Sequence, residues 1–504
     1  MKKNKLIFLD IILLLILLFV LIALFVQDYF GAVTIEQLLF HRNMPLNEPI
    51  GNFINTGFLY VLPKLLVLIL LYILVRYIFY KMDITFIINF RSKMKEINLN
   101  NIFYKLRWLI IIILVFFSFY KLNTSFSIMR SFQYNNNTSD IYEKYYVNPK
   151  KAQINFPHNK RNLIYIMVES LEVTDFNYNQ GGYRKKSIIP ELEEIANRNT
   201  NFSHGYKLGG FYDVLGTGFT AGAIIGHTSG IPLIGGIGNN NYNKYESILK
   251  NAYSIGEILA DSGYKNYFMM GSDKNFGGRG KYLSLHGNYE IFDFNTAKDL
   301  NYIPKDYEIK WWGFEDKKLY QFAKEKLIKI SKKDEPFNFT MLTVDTHPID
   351  GYLDETCMVD NSLTQYENVF ACGSKMLNEF IAWIEKQKFY DNTTIVIVGD
   401  HLNMIKKGIY EDMPQNYNRK IYNAFINLSV NTKCTNNREF NTFDIYPTTL
   451  AALGVKIEGE RLALGTNLFS CQDTLTEELG LAYLNTELLK KSNYYNNCLF
   501  FGKC

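Results

Sequence analysis

The run Leu163-Ile-Tyr-Ile-Met-Val168, followed at once by Glu169, decides the fold. A continuous apolar stretch of this length is typical of a strand that is buried on both faces, as in a parallel sheet. Further short apolar runs occur later in the chain, and helical patterns separate them. We therefore predict an α/β domain with a mostly parallel central sheet. The other strands are predicted at residues 267–270, 339–344, 395–398 and 424–430, and the helices at 190–199, 314–331, 374–387 and 443–453.

Reactive side chains follow three of these runs, at the sheet edge where ligands bind in such folds. Glu169 ends the first run, and Asp400-His401 follows the buried run 394–399. Two carboxylates and an imidazole are suitable ligands for a divalent cation. His347 follows another strand in the stretch Thr343-Val-Asp-Thr-His-Pro348. Each of these residues taken alone also fits a structural or loop role.

The stretch Gly216-Thr-Gly-Phe-Thr-Ala-Gly222 leads into a segment that could begin a helix. A hydroxyl at a helix N-terminus, beside free N–H groups, is a candidate nucleophile for a phosphoryl centre. Threonine is also a common N-cap, so Thr220 could have a structural role only. Neither a P-loop nor a G-x-G-x-x-G pattern is present, which argues against nucleotide binding. Arg279, in the glycine-rich loop 276–281, could clamp a phosphate or be an ordinary exposed cation.

The first 121 residues have the composition of a membrane anchor, whereas the remainder does not. Residues 6–26 are apolar apart from Asp10, and about 20 such residues cross a bilayer as a helix. A second span is predicted at residues 58–79 and a shorter third span at 108–120. The alternatives are a cleaved signal peptide for the first span and an interfacial or buried helix for the third.

The distribution of cations predicts the orientation of these spans. The segment after the second span is rich in lysine and arginine, whereas the loop between the first two spans has only Arg42. By the positive-inside rule the N-terminus is cytoplasmic, and the chain beyond residue 122 lies outside. We therefore expect an anchor at residues 1–122, a polar linker at 123–160 and an extracytoplasmic domain at 161–504.

Composition and cysteine usage exclude several classes of protein. The 48% hydrophobic content excludes a disordered chain, and a net charge of +5 is too small to indicate a nucleic-acid partner. No C-x-x-C motif occurs, so zinc ribbons and thioredoxin-like sites are excluded. All six cysteines lie beyond residue 356. We expect disulfides in an oxidising compartment, with Cys357 and Cys372 as the favoured pair and free thiols as the alternative.

Taken in order, several motifs resemble the alkaline phosphatase/sulfatase superfamily. They are most similar to its membrane-anchored branch of phosphoglycerol transferases, lipoteichoic acid synthases and phosphoethanolamine transferases. Each motif is short, but the ordered set covers about residues 160–470. The motifs are Val168-Glu-Ser-Leu-Glu172, Phe202-Ser-His204, Thr220-Ala-Gly222, Thr228-Ser-Gly-Ile-Pro-Leu233, Leu342-Thr-Val-Asp-Thr-His-Pro348 and Gly399-Asp-His-Leu402.

The resemblance implies a site with one divalent metal ion and a covalent phosphothreonine intermediate. Its metal ligands would be Glu169, the nucleophile Thr220, Asp400 and His401. The resemblance also implies that Arg279 and His347 bind the substrate, and it leaves Thr217 as an alternative nucleophile. One nitrogen and several oxygen ligands do not distinguish Mn²⁺, Zn²⁺ and Mg²⁺.

Two departures from the motifs of the superfamily indicate which of its branches the chain resembles. No cysteine begins a C-x-P-x-R motif, which disfavours sulfate-ester hydrolysis, and no cysteine lies near Thr220, unlike the usual phosphoethanolamine transferase. The resemblance then implies an enzyme of the bacterial inner membrane. It would transfer phosphoglycerol from phosphatidylglycerol to a periplasmic or cell-envelope glycan and release diacylglycerol. The alternatives are phosphoethanolamine transfer to lipid A or another glycan, a lipoteichoic acid synthase-like polymerase, and a membrane-tethered sensor without activity.

Overall fold

The structure is a computed structural model of the chain. It describes residues 2–30, 48–81, 85–90, 93–126, 128–129, 137–234, 248–405, 407–414, 416–431 and 433–504. The described residues divide into an N-terminal unit, up to residue 129, and a C-terminal unit, from residue 137 onward.

The described residues of the N-terminal unit form three long helices and a β-hairpin. Two of the helices contain segments long and apolar enough to cross a membrane, Asp10–Tyr29 and Ile54–Val75. The described apolar part of the third helix, Ile111–Phe126, is shorter than either. The elements are α1 (Lys2–Phe30), α2 (Glu48–Lys81), the antiparallel pair β1 (Thr85–Phe90) and β2 (Lys93–Asn98), and α3 (Leu99–Phe126).

Polar side chains join the helices of this unit. Asp10 of α1 accepts a hydrogen bond from the Tyr72 hydroxyl of α2. Ser125 Oγ of α3 donates to the Ala23 carbonyl oxygen of α1 at 2.9 Å. An unsatisfied polar group is costly in hydrocarbon, so such contacts favour a defined packing of the helices over independent spans.

A seven-stranded sheet forms the centre of the C-terminal unit, in the order β5-β10-β9-β4-β8-β6-β7. The five strands from β9 to β7 are parallel, whereas β10 is antiparallel to both β9 and β5. The predicted mostly parallel sheet is therefore confirmed. The strands are β4 (Asn162–Val168), β5 (Gly210–Phe211), β6 (Lys265–Met270), β7 (Glu290–Phe292), β8 (Phe337–Leu342), β9 (Thr393–Gly399) and β10 (Ile421–Ile426).

Strand β4 lies in the middle of the sheet and aligns the strand ends that matter for the site. Its register places Tyr165 beside Thr340 of β8 on one side and beside Val396 of β9 on the other. The residues of β8 and β9 are all buried. Because β8, β4 and β9 are parallel neighbours, the residues that follow them emerge at the same edge of the sheet.

Helices cover the sheet, and two elements differ from the sequence prediction by more than two residues at a boundary. The helix predicted at 374–387 is Gln365–Ile384, because Thr364 and Glu367 form a capping box that starts it earlier. Strand β10 ends at Ile426, since Asn427 has a φ of 54° and turns the chain. The helices are α4 (Ile141–Tyr145), α5 (Pro190–Arg198), α6 (Thr220–Ser229), α7 (Ile255–Asp261), α8 (Arg279–Leu285), α9 (Phe294–Asp299), α10 (Asp316–Ile330), α11 (Gln365–Ile384), α12 (Ile445–Ala452), α13 (Leu475–Leu479) and α14 (Leu481–Leu489).

Part of the stretch expected as a linker belongs to the folded C-terminal unit. Ile141 and Tyr142 of α4 are buried in its core. Strand β3 (Ile154–Asn155) pairs with β11 (Lys456–Ile457), and a second small ladder joins β12 (Arg461–Leu462) to β13 (Gly465–Thr466).

Three disulfides link the six cysteines. The predicted pair Cys357–Cys372 is confirmed, and Cys434–Cys471 and Cys498–Cys504 are the others. The first joins the segment after β8 to α11, so it fixes the chain that leaves one of the strands beside the predicted site.

Candidate functional site

The structure brings Glu169, Asp400 and His401 together at the carboxyl edge of the sheet. One ligand atom from each lies within 4.8 Å of the others, and all three side chains are buried. His401 Nε2 lies 3.5 Å from Glu169 Oε1 and 3.4 Å from Asp400 Oδ2. Three potential ligands from the ends of two adjacent strands thus converge on one point.

Hydrogen bonds fix these groups. Ser170 has a φ of 58°, which turns the chain sharply after β4. In this conformation the Ser170 N–H donates to Asp400 Oδ1 at 2.8 Å, and its hydroxyl donates to Glu169 Oε1 at 2.8 Å. The His401 N–H donates to the same Asp400 Oδ1, also at 2.8 Å. Asp400 Oδ2 is buried and has no hydrogen-bond partner among the described residues.

The imidazole of His401 is oriented for coordination. Its Nδ1 donates to the Leu402 carbonyl oxygen at 2.8 Å, because a carbonyl oxygen can only accept. Nε2 faces the carboxylates, whose charges raise the pKa of His401 despite its burial. In the neutral imidazole this nitrogen carries the lone pair that a cation would use. Burial and the neighbouring Glu169 carboxylate raise the pKa of Asp400 to about 7. Concentrating two carboxylates in a buried space is unfavourable unless a cation compensates their charge.

The arrangement fits a divalent cation. In a tetrahedral site with bonds of about 2.0–2.1 Å, neighbouring ligand atoms lie about 3.3 Å apart, close to the two distances from His401 Nε2. The otherwise unpartnered Asp400 Oδ2 is one of these atoms. One imidazole nitrogen and two carboxylates could hold Zn²⁺, Mn²⁺ or Mg²⁺.

Of the two threonines in the glycine-rich stretch, Thr220 faces this cluster. It is the first residue of α6, and its Oγ1 donates to Glu169 Oε2 at 3.3 Å. Thr217 is fully buried, and its hydroxyl bonds both the N–H and the carbonyl oxygen of Val214. Of these two hydroxyls, that of Thr220 contacts the carboxylate cluster and that of Thr217 is engaged with Val214. The N–H groups of the first turn of α6 have no partner within the helix, so they are suited to an anion beside Thr220.

Arg279 begins α8 instead of lying in a flexible loop. Gly277 and Gly278 before it both have positive φ, a conformation that disfavours other residues. The Arg279 side chain is buried, and its Nε and Nη2 donate to Phe276, Ser272 and Asp273. Nη1 has no hydrogen bond to the described residues. Burial lowers the pKa of Arg279 to about 10, so it remains a cation at neutral pH.

His347 lies near the same cluster. Its Nδ1 donates to the Pro348 carbonyl oxygen at 2.6 Å, which leaves Nε2 as an acceptor. Burial lowers the pKa of His347, while the charge of Glu169 opposes this effect. The neutral imidazole is therefore favoured, with Nε2 able to accept a hydrogen bond from a hydroxyl.

Sequence reasoning missed two groups around this site. Trp312 packs on His347, with ring centroids 4.4 Å apart. Glu172 is buried, pairs with Arg419 and accepts a hydrogen bond from the Asn403 N–H at 2.7 Å, which holds the chain just after His401. The adjacent tryptophans 311 and 312, among only four in the chain, were the available signal for the first group.

Comparison with known proteins gives one family and a set of named relatives. A family model described as Sulfatase matches residues 161–455. Phosphoglycerol transferase I of Salmonella agona (strain SL483) is 32% identical over 266 residues, which are 52% of this chain and 33% of the relative. The corresponding protein of Citrobacter koseri is 31% identical over 269 residues, with the same coverage of both chains. The chain thus matches about a third of the length of these curated relatives.

Solved structures also match the chain at low sequence identity. A lipoteichoic acid synthase from Listeria monocytogenes matches with a TM-score of 0.48 at 20% identity, over 64% of this chain and 79% of its own. The lipooligosaccharide phosphoethanolamine transferase A of Neisseria meningitidis matches with a TM-score of 0.48 at 12% identity, over 88% of this chain and 84% of its own.

Proposed function

Because the chain belongs to the sulfatase family, we propose that it is a metal-dependent phosphotransferase of the cell envelope. It transfers the phosphoglyceryl group of phosphatidylglycerol to a glycan acceptor and releases diacylglycerol. One observation carries the proposal: the Thr220 hydroxyl lies beside a buried cluster of two carboxylates and an imidazole. The relatives named phosphoglycerol transferase I support this choice of headgroup.

In the first half of the reaction, Thr220 Oγ attacks the phosphorus of the lipid. The bond from Oγ to phosphorus forms, and the bond from phosphorus to the diacylglycerol oxygen breaks. A dication held by Glu169, Asp400 and His401 would lower the pKa of the hydroxyl and offset the charge of the phosphodiester. Arg279 Nη1 and the free N–H groups of α6 are available to the phosphate oxygens. Thr220 Oγ gives up one proton and the leaving diacylglycerol oxygen gains one, so the step is balanced.

In the second half, a hydroxyl of the glycan attacks the phosphothreonine. The new bond joins the acceptor oxygen to phosphorus, the bond to Thr220 Oγ breaks, and the threonine regains a proton. The neutral His347 can accept a hydrogen bond at Nε2 and so can hold a hydroxyl of the bound phosphoglyceryl group during this step. The cycle returns the enzyme to its starting state, with phosphoglycerol on the glycan.

The proposed topology keeps this chemistry next to its lipid. In our proposal the anchor at residues 1–122 is a multi-pass segment with its N-terminus in the cytoplasm, and the catalytic domain lies outside. The arrangement needs an odd number of spans, so α3 crosses the membrane as the third, beside the two helices that are long and apolar enough to span it. The cation-rich segment after the second span and the three disulfides support the orientation. A reporter that works only outside the cytoplasm should be active when it is fused after residue 122. If instead only a reporter that works in the cytoplasm is active at this position, the topology and the access to an outer-leaflet lipid are contradicted.

The function is tested with the full-length protein in detergent micelles. The protein is incubated with headgroup-labelled phosphatidylglycerol or phosphatidylethanolamine, an oligosaccharide acceptor and Mn²⁺, Zn²⁺ or Mg²⁺. We expect diacylglycerol release from phosphatidylglycerol, transfer of the label to the oligosaccharide, and loss of both on chelation. Thr220→Ala is the matched control for contaminating lipases. Release from phosphatidylethanolamine alone would identify that lipid as the donor in place of phosphatidylglycerol. Release from neither lipid would contradict the proposed function.

A further inference from the structure

A buried hydrogen-bond donor beside the site has no partner in the described part of the chain. Trp312 Nε1 is shielded from solvent and bonds no described residue, although the indole ring itself is partly exposed. A buried N–H without an acceptor costs about 1–3 kcal/mol, so native structures rarely contain one without a bound water, ion or ligand. This donor therefore points to a ligand that supplies the missing acceptor.

The backbone places Trp312 beside the site without help from the indole N–H. The following Gly313 forms a bridge with Ser272 directly after β6, and the Phe314 N–H donates to the Gly271 carbonyl oxygen at 3.1 Å. A Cβ on Gly313 would lie 1.8 Å from that carbonyl oxygen, so only glycine permits this approach. The neighbouring Trp311 donates from Nε1 to the His347 carbonyl oxygen at 3.1 Å.

The rings around Trp312 connect it to both substrate-binding candidates. Its centroid lies 4.4 Å from that of His347 and 5.2 Å from that of Phe276. The Arg279 guanidinium carbon lies 5.1 Å from the Phe276 centroid. Trp312 therefore belongs to the shell that would surround the group attached to the transferred phosphorus.

The hydrogen-bonding capacities of the two adjacent rings are complementary. Trp312 can only donate from Nε1, and His347, with its proton on Nδ1, can only accept at Nε2. A hydroxyl group both donates and accepts, so it can satisfy the two rings together. An ammonium group donates only, and the nearby Arg279 cation would repel it.

We propose that Trp312 Nε1 donates a hydrogen bond to a hydroxyl oxygen of the phosphoglyceryl headgroup and so selects hydroxylated headgroups. The proposal rests on the proposed function and extends it by naming a specificity-determining residue. A site built to bond a hydroxyl discriminates against analogues that lack it, because its own polar group is then left unpaired.

The experiment compares two lipids that differ only in the headgroup hydroxyls, phosphatidylglycerol and phosphatidylpropanol. For the unmodified full-length protein we expect kcat/KM for diacylglycerol release to favour phosphatidylglycerol by about tenfold, the value of one good hydrogen bond. Trp312→Phe, which keeps an aromatic ring and removes the N–H, should bring this ratio close to one. Trp311→Phe is the matched control, and it should change both lipids alike and leave the ratio unchanged.

A second replacement guards against a packing defect in Trp312→Phe. Benzothienylalanine at position 312 keeps two fused rings and lacks the N–H, so it should also abolish the preference. An unchanged ratio in this protein, or no preference in the unmodified protein, would overturn the proposal.

Binding measurements separate this inference from the proposed function. Calorimetry with glyceryl phosphate and propyl phosphate on metal-loaded protein should show the same preference of about tenfold, lost in the position-312 variants. Absence of diacylglycerol release with this binding preference intact would reject the proposed function and support the Trp312 contact. Diacylglycerol release from phosphatidylglycerol with equal binding of the two phosphates would support the proposed function and reject the Trp312 contact.

Discussion

Asp400→Asn is the sharpest test of the proposed metal site, because the two carboxylate oxygens have separate tasks. Oδ1 accepts the N–H groups of Ser170 and His401, each at 2.8 Å. Oδ2 has no partner among the described residues and lies 3.4 Å from His401 Nε2. An asparagine can keep its oxygen at the first position, and its NH₂ group then replaces the oxygen that faces the ligand cluster.

The substitution should weaken metal binding strongly while leaving the fold intact. Removing one partner of a buried charge pair costs about 3–5 kcal/mol, so the metal Kd should rise by about 100- to 1,000-fold or more. Without metal, the same change removes one of two buried like charges. The chelator-treated variant should therefore melt at the same temperature as the chelator-treated parent, or above it.

Calorimetric titration with Zn²⁺ and Mn²⁺ measures the first effect, and thermal melting in EDTA measures the second. Glu478→Gln is a matched control, since this partly exposed glutamate pairs with Arg461 away from the cluster. It should bind metal like the parent. Stoichiometric binding by Asp400→Asn with a Kd within threefold of the parent would refute the site assignment. A variant that unfolds in EDTA while the parent does not would refute the separation of tasks between the two oxygens.

Three further predictions follow from the described contacts. Thr220→Ala should abolish turnover but retain metal binding, whereas Thr220→Ser should keep a fraction of the rate. Mass spectrometry of acid-quenched parent protein should find glycerophosphate on Thr220. An adduct on another residue would contradict the assignment. Burial raises the pKa of Asp444 to about 7, above its unfolded value of about 3.9, so the folded state binds the proton more tightly. This group should therefore make stability fall as pH rises from about 4 to about 7, and Asp444→Asn should flatten that part of the melting profile in EDTA; an unchanged slope would contradict it. Replacing both cysteines of Cys434–Cys471, which are separated by 37 residues, should lower the free energy of unfolding in denaturant by about 4 kcal/mol. The same change at Cys498–Cys504, separated by 6 residues, should lower it by about 2 kcal/mol, because the shorter loop has less entropy to lose. The reverse order would contradict this reasoning.

The strands that carry the site could be predicted because each is a continuous run of apolar residues. Strands β4 and β9 are of this kind, and Glu169 and Asp400 simply follow them. Strand β5 has only two residues, too few for any periodic pattern, and it exists because β10 offers it an unpaired edge. Its pairing is a property of the folded sheet that no local pattern indicates.

Side-chain environments were harder to predict than strand ends. The left-handed conformation of Ser170 is compensated by its bond to Asp400, which is 230 residues away in sequence. Trp312 is placed by the close approach of Gly313 to Gly271, which follows strand β6. Both depend on tertiary contacts, whereas sequence patterns report mainly on local structure and burial. The role of Arg279 stays a prediction, although its position at the start of a helix replaces the expected loop.

The insertion of β4 between β8 and β9 has a consequence for biosynthesis. Asp400 reaches the bond with Ser170 only after 230 further residues have been added to the chain. At about 5–20 residues per second this interval lasts roughly ten to fifty seconds. For most of that time the nascent chain has Glu169 and Thr220 but lacks Asp400 and His401. In our proposal the reactive centre is completed only when the late strand β9 docks, so the chain stays inert while it is being made and inserted.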